Sequence, residues 1–428
     1  MSEYIVQSGS LTAVANKIRE KTGGSAPLEF PDDFISEIDT LMGIPQTPTD
    51  SILFYSPNVF YVGIYNKTKN WNGTVEYSTD HQTWTEWDGT TTLTAALSNS
   101  GNYLLYLKGT GNTVLSGSGS QRQGFEITGS FIKCVGNFAN MLDSLDNYAC
   151  SYLFNDCPTV DFDIQLPFTT LAASCYAHFF QGCSSLTKAP ALPADTMVNG
   201  CYAQMFDGCI SLQYPPELNA ATVYDNCYRS MFVGCVSLLE APALPATTVM
   251  GSCYAYMFSG CTKLRSTPTL SAIVMATSCY DHMFENCVSL TTAPNLPATT
   301  LAVRCYQNMF AGCKSLTSSV KLPATTLQTY CYSNMFNGCT DLESLPELPA
   351  TTLTSNCYQS MFSGCSKIKI SATQTGDYQT EYRIPSSGTG TAGSNSLTSM
   401  FASTGGTFTS NPAINTTYYT SNTVIPAT

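Results

Sequence analysis

The chain has 428 residues, 30 acidic against 18 basic side chains for a formal net charge of −12, and 19 cysteines. With 43% hydrophobic and only 11% charged residues it is not a disordered chain, and its acidic balance excludes the basic footprint of a nucleic-acid-binding protein. No apolar run reaches the ~18–20 residues that span a bilayer, and a prior of about 150 residues per domain gives roughly three domains.

The N-terminus, MSEYIVQSGSLTAVANKIREK, lacks the basic start and apolar centre of an export signal. That sharpens the problem of 19 cysteines, because disulfide-rich proteins belong to oxidising compartments. Residues 1–45 read as a helical pair. Val14, Ala15 and Ile18 stripe the first helix, and Phe34, Ile35 and Ile38 the second. Pro31 suits the first turn of the second helix, and Asp32 and Asp33 suit its positive end. A unit this small holds a poor core alone, so it is expected to pack on a partner or on copies of itself.

Residues 46–146 differ. ILFYS, VFYVGIYN, TVEYSTD and YLLYLKG alternate as strands do, and the turn clusters NWNG, EWDG, SNSGN and KGTGN separate them. A small all-β sandwich or barrel is expected. Trp71, Trp84 and Trp87 serve either its core or an exposed glycan site, the core being the favoured reading.

From 147 to 370 the sequence repeats. Cys157, Cys183, Cys209, Cys235, Cys261, Cys287, Cys313, Cys339 and Cys365 fall in steps of 26, as do Cys175, Cys201, Cys227, Cys253, Cys279, Cys305, Cys331 and Cys357. Cys134 stands outside both series, and Cys150 belongs to an irregular first repeat. In the copy from Leu296 to Lys321, Leu301, Cys305, Met309 and Cys313 are four apart, with Tyr306 and Phe310 as a second line. That spacing predicts a short amphipathic helix. Thr299 or Thr300 would cap its start and Gly312 its end. Ser315-Leu316 then opens a strand, kept short by prolines such as Pro242, Pro268 and Pro294. Such a strand-plus-short-helix unit buries its apolar face only by stacking on its neighbours.

On helices, the two cysteines of one repeat stand ~12 Å apart and equivalent cysteines of adjacent repeats roughly 10 Å apart, beyond the ~7 Å limit for a disulfide. The expected role is therefore a ladder of buried thiols. It comprises Cys183, Cys209, Cys235, Cys261, Cys287, Cys313, Cys339 and Cys365, beside Met309 and Phe310. No C-x-x-C occurs, and His81, His178 and His282 share no repeat context, so no metal or other cofactor is expected. His178 and His282 read as exposed helix positions. The recurrent tyrosines, Tyr202, Tyr228, Tyr254, Tyr280, Tyr306, Tyr332 and Tyr358, either cover the core edge or form a glycan-stacking stripe, with the core preferred. Candidate contact residues are Tyr306 and the variable positions after each S-L, namely Gln213, Glu240, Arg265 and Glu343.

Beyond residue 370 the composition turns to Ser, Thr and Gly, as in IPSSGTGTAGSNS. Met400-Phe401 follows Met361-Phe362 by 39 residues, one period plus a 13-residue insertion. Residues 371–428 thus read as a degenerate repeat and cap, with TTYYTSNTVIPAT adding a last strand.

The segments MFAGCKSLTSSVKLPATTL and MFSGCTKLRSTPTL resemble the BspA-type leucine-rich repeats, and the related mycoplasma-type surface repeats, over roughly Asn147 to Ile370. The resemblance implies a surface or adhesive protein and brings no catalytic residues. LTAVANKIREKTGGSAPLEFPDDFISEIDTLM resembles the N-terminal segment of tailed-phage structural proteins, in which a helix ending I-R-x-K-T-G precedes F-P-x-x-F-x-x-x-I. YSTDHQTW and GTGNT resemble the β-domain that precedes such repeats in phage and gut-bacterial proteins.

Together these readings give a multidomain α+β chain. It has an N-terminal helical pair (1–45), a small β-sandwich or barrel (46–146), a leucine-rich-repeat solenoid of about nine 26-residue strand-plus-short-helix repeats (147–370) and a capped C-terminus (371–428). The expected function is that of a phage virion structural protein, located on the virion as a tail fibre, spike or baseplate-associated part, whose repeat surface attaches to the host. A capsid head fibre or decoration protein and a bacterial surface adhesin are the alternatives. Expected partners are other virion proteins through residues 1–45, a host-surface glycan or protein, and further copies of the chain, with no nucleic acid and no membrane insertion. No G-x-S-x-G, P-loop, H-E-x-x-H or dinucleotide fingerprint occurs, and Asp161 and Asp163 alternate onto a solvated face, so no enzyme is expected.

Overall fold

A computed structural model describes residues 45–116 and 124–427. The expected helical pair falls on residues 1–44, outside the described residues.

The apolar alternation of residues 46–146 produces two open sheets. The larger runs in the order Val160–Gln165, Ile132–Asn137, Ile52–Ser56, Tyr103–Thr110, Thr74–Ser78, Thr85–Glu86, with Ala96–Leu97 also paired to Tyr103–Thr110. The smaller runs Leu93–Thr94, Tyr61–Ile64, Phe125–Thr128. Among the described residues neither closes, so the barrel alternative is overturned. Ile52 and Phe54 of one sheet and Val62 and Ile127 of the other enter a common core, which continues through the repeats as far as Tyr418. Trp71 and Trp87 lie in that core with ring centroids 5.3 Å apart. Trp84 stands on the outer face, beneath Lys108 Nζ at 4.1 Å.

The join to the repeats is a strand pairing. Val160–Gln165 lies parallel to Ile132–Asn137, with Phe162 opposite Cys134. Val160, Phe162 and Ile164 point into the core, while Asp163 is exposed and Asp161 lies 3.6 Å from Lys133. The first repeat strand therefore extends the sheet, and the sheet covers that end of the stack.

The repeats contain no α-helix, which overturns the strand-plus-short-helix expectation. Among the described residues the only helix is the 3-10 turn Phe138–Asn140. In an α-helix each N–H bonds to the carbonyl four residues back. Here two directions alternate. The N–H groups of Cys305, Gln307, Met309, Ala311 and Cys313 bond three residues back, to the carbonyls of Ala302, Arg304, Tyr306, Asn308 and Phe310, at 3.0–3.3 Å. Those of Arg304, Tyr306, Asn308, Phe310 and Gly312 bond to the next coil, to Thr329, Cys331, Ser333, Met335 and Asn337, at 2.7–3.1 Å. Every N–H of the segment is thereby satisfied. The backbone turns left-handed at every fourth residue, Arg304 (φ 57°), Asn308 (φ 53°) and Gly312 (φ 75°), the geometry of the third position of successive type II turns.

This explains two further differences. Thr300 caps no helix but makes a parallel bridge to Thr326. The recurrent glycine is no helix terminus but the last left-handed position of each coil. At Gly364 (φ 77°) a Cβ would lie 3.4 Å from Gly338 Cα in the stacked coil.

Because successive coils bond through their backbones, equivalent side chains form columns. Phe180, Phe206, Phe232, Phe258, Phe284, Phe310, Phe336, Phe362 and Phe401 stack at 5.5–5.8 Å. Tyr176 to Tyr358 form a second column at 5.6–6.1 Å. This is far closer than helices pack, so the ~10 Å separation expected between equivalent cysteines does not hold. All 19 cysteines are nevertheless free and buried. The thiol of Cys313 donates at 3.1 Å to the carbonyl of Phe284, which also accepts the Cys287 N–H at 3.1 Å. The same thiol-to-Phe bond recurs at 3.0–3.1 Å for Cys183, Cys209, Cys235, Cys261, Cys287, Cys339 and Cys365. At the far end Phe362 N–H bonds to Met400 at 3.0 Å. Thr417–Thr420 joins Ile370–Ser371 and Thr380–Arg383, and Thr423–Ile425 lies parallel on Ser344–Pro346.

Two outcomes follow from the buried column. Native protein should leave its thiols unmodified by an aromatic disulfide reagent at pH 8, and about 19 should react after denaturation without reductant; near zero would mean disulfides. Burial pushes Cys287 and Cys365 up to about 12 from an ordinary 9.0. The unfolded chain therefore releases these protons first, and stability is full below about pH 9 and falls as pH rises toward 12. Circular dichroism should show cooperative alkaline unfolding inside that window. Gly364→Ala should cost ~1–2 kcal/mol from the left-handed backbone alone, read as a lower urea midpoint.

Candidate functional site

Backbone pairing between coils also orders the outside. After each buried Leu of the S-L pair, the N–H of Gln213 bonds to Thr187 (2.9 Å), that of Arg265 to Leu239 (3.3 Å) and that of Glu343 to Thr317 (2.8 Å). Gln213 and Arg265 therefore stand two coils apart on one row, with Glu343 three coils further along. Glu240 occupies the adjacent row, bridged to Ser266. All four are exposed. Tyr214 (61% exposed) and Leu239 (45%) add apolar surface there. Lys367 Nζ holds Glu343 at 2.8 Å and Asp341 at 3.1 Å.

Tyr306 does not belong to this surface. It is 1% exposed and stacks between Tyr280 and Tyr332, so no surface partner reaches its ring. Met309, Phe310 and the eight ladder cysteines are fully buried. Their thiols are raised by burial and are neither nucleophiles nor ligands at neutral pH. Among the described residues no group of three or more His, Cys, Asp or Glu is arranged to hold a metal ion.

The contacts that sequence reasoning missed centre on the left-handed positions Tyr152, His178, Tyr256, His282, Arg304 and Tyr330. Tyr152 and His178 stack with centroids 4.0 Å apart and planes 10° apart, and Tyr256 and His282 do so at 4.3 Å and 13°. Arg229 lies over Tyr256 at 5.8 Å and Arg304 over Tyr330 at 5.3 Å. Asp281 pairs with His282 Nδ1 at 2.5 Å. The two histidines are half-buried in stacks, not plainly exposed on helices. A signal existed: His178 and His282 lie 104 residues apart, four periods, and each follows a tyrosine by 26. His178 Nδ1 also meets Gln181 Oε1 at 2.8 Å, whose amide donates to Asp207 at 2.7 Å.

Residues 175–308 and 277–380 match the BspA type leucine rich repeat region, in six copies. The repeat part is thus BspA-like. No curated protein and no solved structure matches the chain.

Burial lowers the His178 pKa below 6.5, opposed by its bond to Gln181. The folded chain thus takes up this proton later than the unfolded chain as pH falls. The contribution to stability is complete above about 6.5 and is lost on acidification. Imidazole proton shifts should show His178 titrating below 6.5, and Tyr152→Ala should move the midpoint back up by exposing the ring.

Proposed function

We propose that the chain is an attachment protein carried on a phage virion, which binds a host-cell surface through its repeat stack and acts by binding without catalysis. The observation that carries the reading is the BspA-type match in six copies, since repeats of this kind belong to surface, adhesin-like proteins. Two features support it. The inward positions are fixed by the Cys, Tyr and Phe columns, which leaves outward positions such as Gln213, Glu240, Arg265 and Glu343 free to set specificity. The segment LTAVANKIREKTGG…FPDDFISEI resembles the N-terminal part of tailed-phage structural proteins, which makes residues 1–45 the docking element toward other virion proteins and further copies of the chain.

Antibody against the full chain should decorate intact virions in negative stain, and purified protein should bind host cells saturably and slow virion adsorption. Label on the envelope of uninfected cells alone would instead mark a bacterial adhesin. A solution mass equal to one 46.1 kDa chain would remove the oligomer from the proposal.

A further inference from the structure

We propose that a trough where the sheet domain meets the first coils binds a neutral glycan, a deepening that rests on the attachment reading. Two adjoining cavities form it, of about 420 Å³ and about 560 Å³, and both are lined by Tyr152. The first lies between the strand Phe125–Thr128 and the first coil, and it is lined by Tyr65, Glu126, Asn155, Asp156 and Thr159. The second runs along the next coils past Tyr148 and His178, over the small residues Ala177, Gly200 and Ala203. It shares no residue with the Gln213–Glu343 row.

Three observations specify the ligand. The first is aromatic surface. Tyr65 is 58% and Tyr148 43% exposed, and Tyr152 is fixed by its stack on His178. Tyr148 and Tyr152 both hold φ at 60°, at positions that later coils fill mostly with Gly, Asn, Ser or Gln and in places with Tyr, His or Arg. Bulky rings are costly in that backbone region, and they provide flat faces for the C–H side of a sugar ring. The second is unsatisfied polarity. Asn155 Oδ1 and Thr159 Oγ1 are buried without a partner among the described residues. The Asn155 amide nitrogen is already engaged by Gln181 at 3.1 Å, so its oxygen is left as an acceptor. An acceptor and a hydroxyl lining one cavity suit the hydroxyls of a sugar. The third is charge. Glu126 and Asp156 line the same cavity in a chain of net charge −12, which disfavours sialylated, sulfated or phosphorylated ligands.

The test uses the full chain, its Tyr152→Ala and Thr159→Val variants, and immobilised hexasaccharides of glucose, mannose, galactose and N-acetylglucosamine, with heparin hexasaccharide and sialyllactose as anionic probes. At least one neutral probe should bind. Its affinity should change less than about twofold between low and high salt, because no ion pair is involved. Tyr152→Ala should weaken it roughly tenfold, and Thr159→Val, which keeps the side-chain shape, about two- to tenfold. Failure of all neutral probes, salt-sensitive binding of the anionic ones alone, or wild-type affinity in both variants overturns the site. Cell binding separates the two readings. Wild-type protein that binds host cells but no neutral probe leaves attachment standing without this trough. Neutral-probe binding that both variants weaken, without cell binding, leaves the trough standing without attachment.

Discussion

Everything in the repeat region depends on the alternation of backbone N–H groups between the chain's own turn and the next coil. One coil cannot satisfy itself: half the donors between Arg304 and Cys313 have their acceptors about 25 residues ahead. The coils are therefore stable only in series, and each end of the series needs a cover. At one end Val160–Gln165 is a strand of the sheet domain. At the other, the residues inserted before Met400-Phe401 fold back as Thr380–Arg383 against Thr417–Thr420. The thiol bond from Cys313 to the Phe284 carbonyl completes the scheme, because it uses an acceptor already taking one N–H and ties side chain to backbone across the coil boundary.

The period, the buried thiols and the strands at Ile52–Ser56, Tyr61–Ile64, Thr74–Ser78 and Tyr103–Thr110 were legible because they depend on which residues are apolar and how often they recur. The conformation of the coil was not. A spacing of four suits a helix only loosely, since a helical stripe also uses positions three and seven. Cys305-Tyr306, Met309-Phe310 and Cys313 hold to four without drift, as a chain of four-residue turns requires. The residue just before each pair or cysteine, Arg304, Asn308 and Gly312, marks the left-handed position, and asparagine and glycine there are the local clue. The inter-coil bonds leave no local clue, because their acceptors lie a full period away.

The candidate site was legible in the same uneven way. Variable positions after the S-L pair do lie outside, where Gln213, Arg265 and Glu343 share a row. Tyr306 does not, because a tyrosine that recurs in every repeat occupies a column, and columns in this fold face inward. The aromatic pairs Tyr152–His178 and Tyr256–His282 leave no mark within a single repeat, because each joins residues one period apart at positions that differ between repeats.

Stacking also accounts for the low charge. In the Phe and Tyr columns, equivalent rings stand only 5.5–6.1 Å from their counterparts in the next coil. Two like charges at that distance repel by about 0.7 kcal/mol in water and by about 3 kcal/mol at a protein-surface dielectric near 20. A charge repeated in every coil would add that cost at each step, whereas Ser, Thr and Asn bring none. Charge is therefore tolerated where neighbouring coils carry neutral or opposite residues. Lys367 sits against Asp341 and Glu343 of the preceding coil, and Arg265 has Leu239 and Thr291 on either side in its row. A charged fraction of 11% is what remains when a backbone built to repeat at close spacing excludes repeated charge.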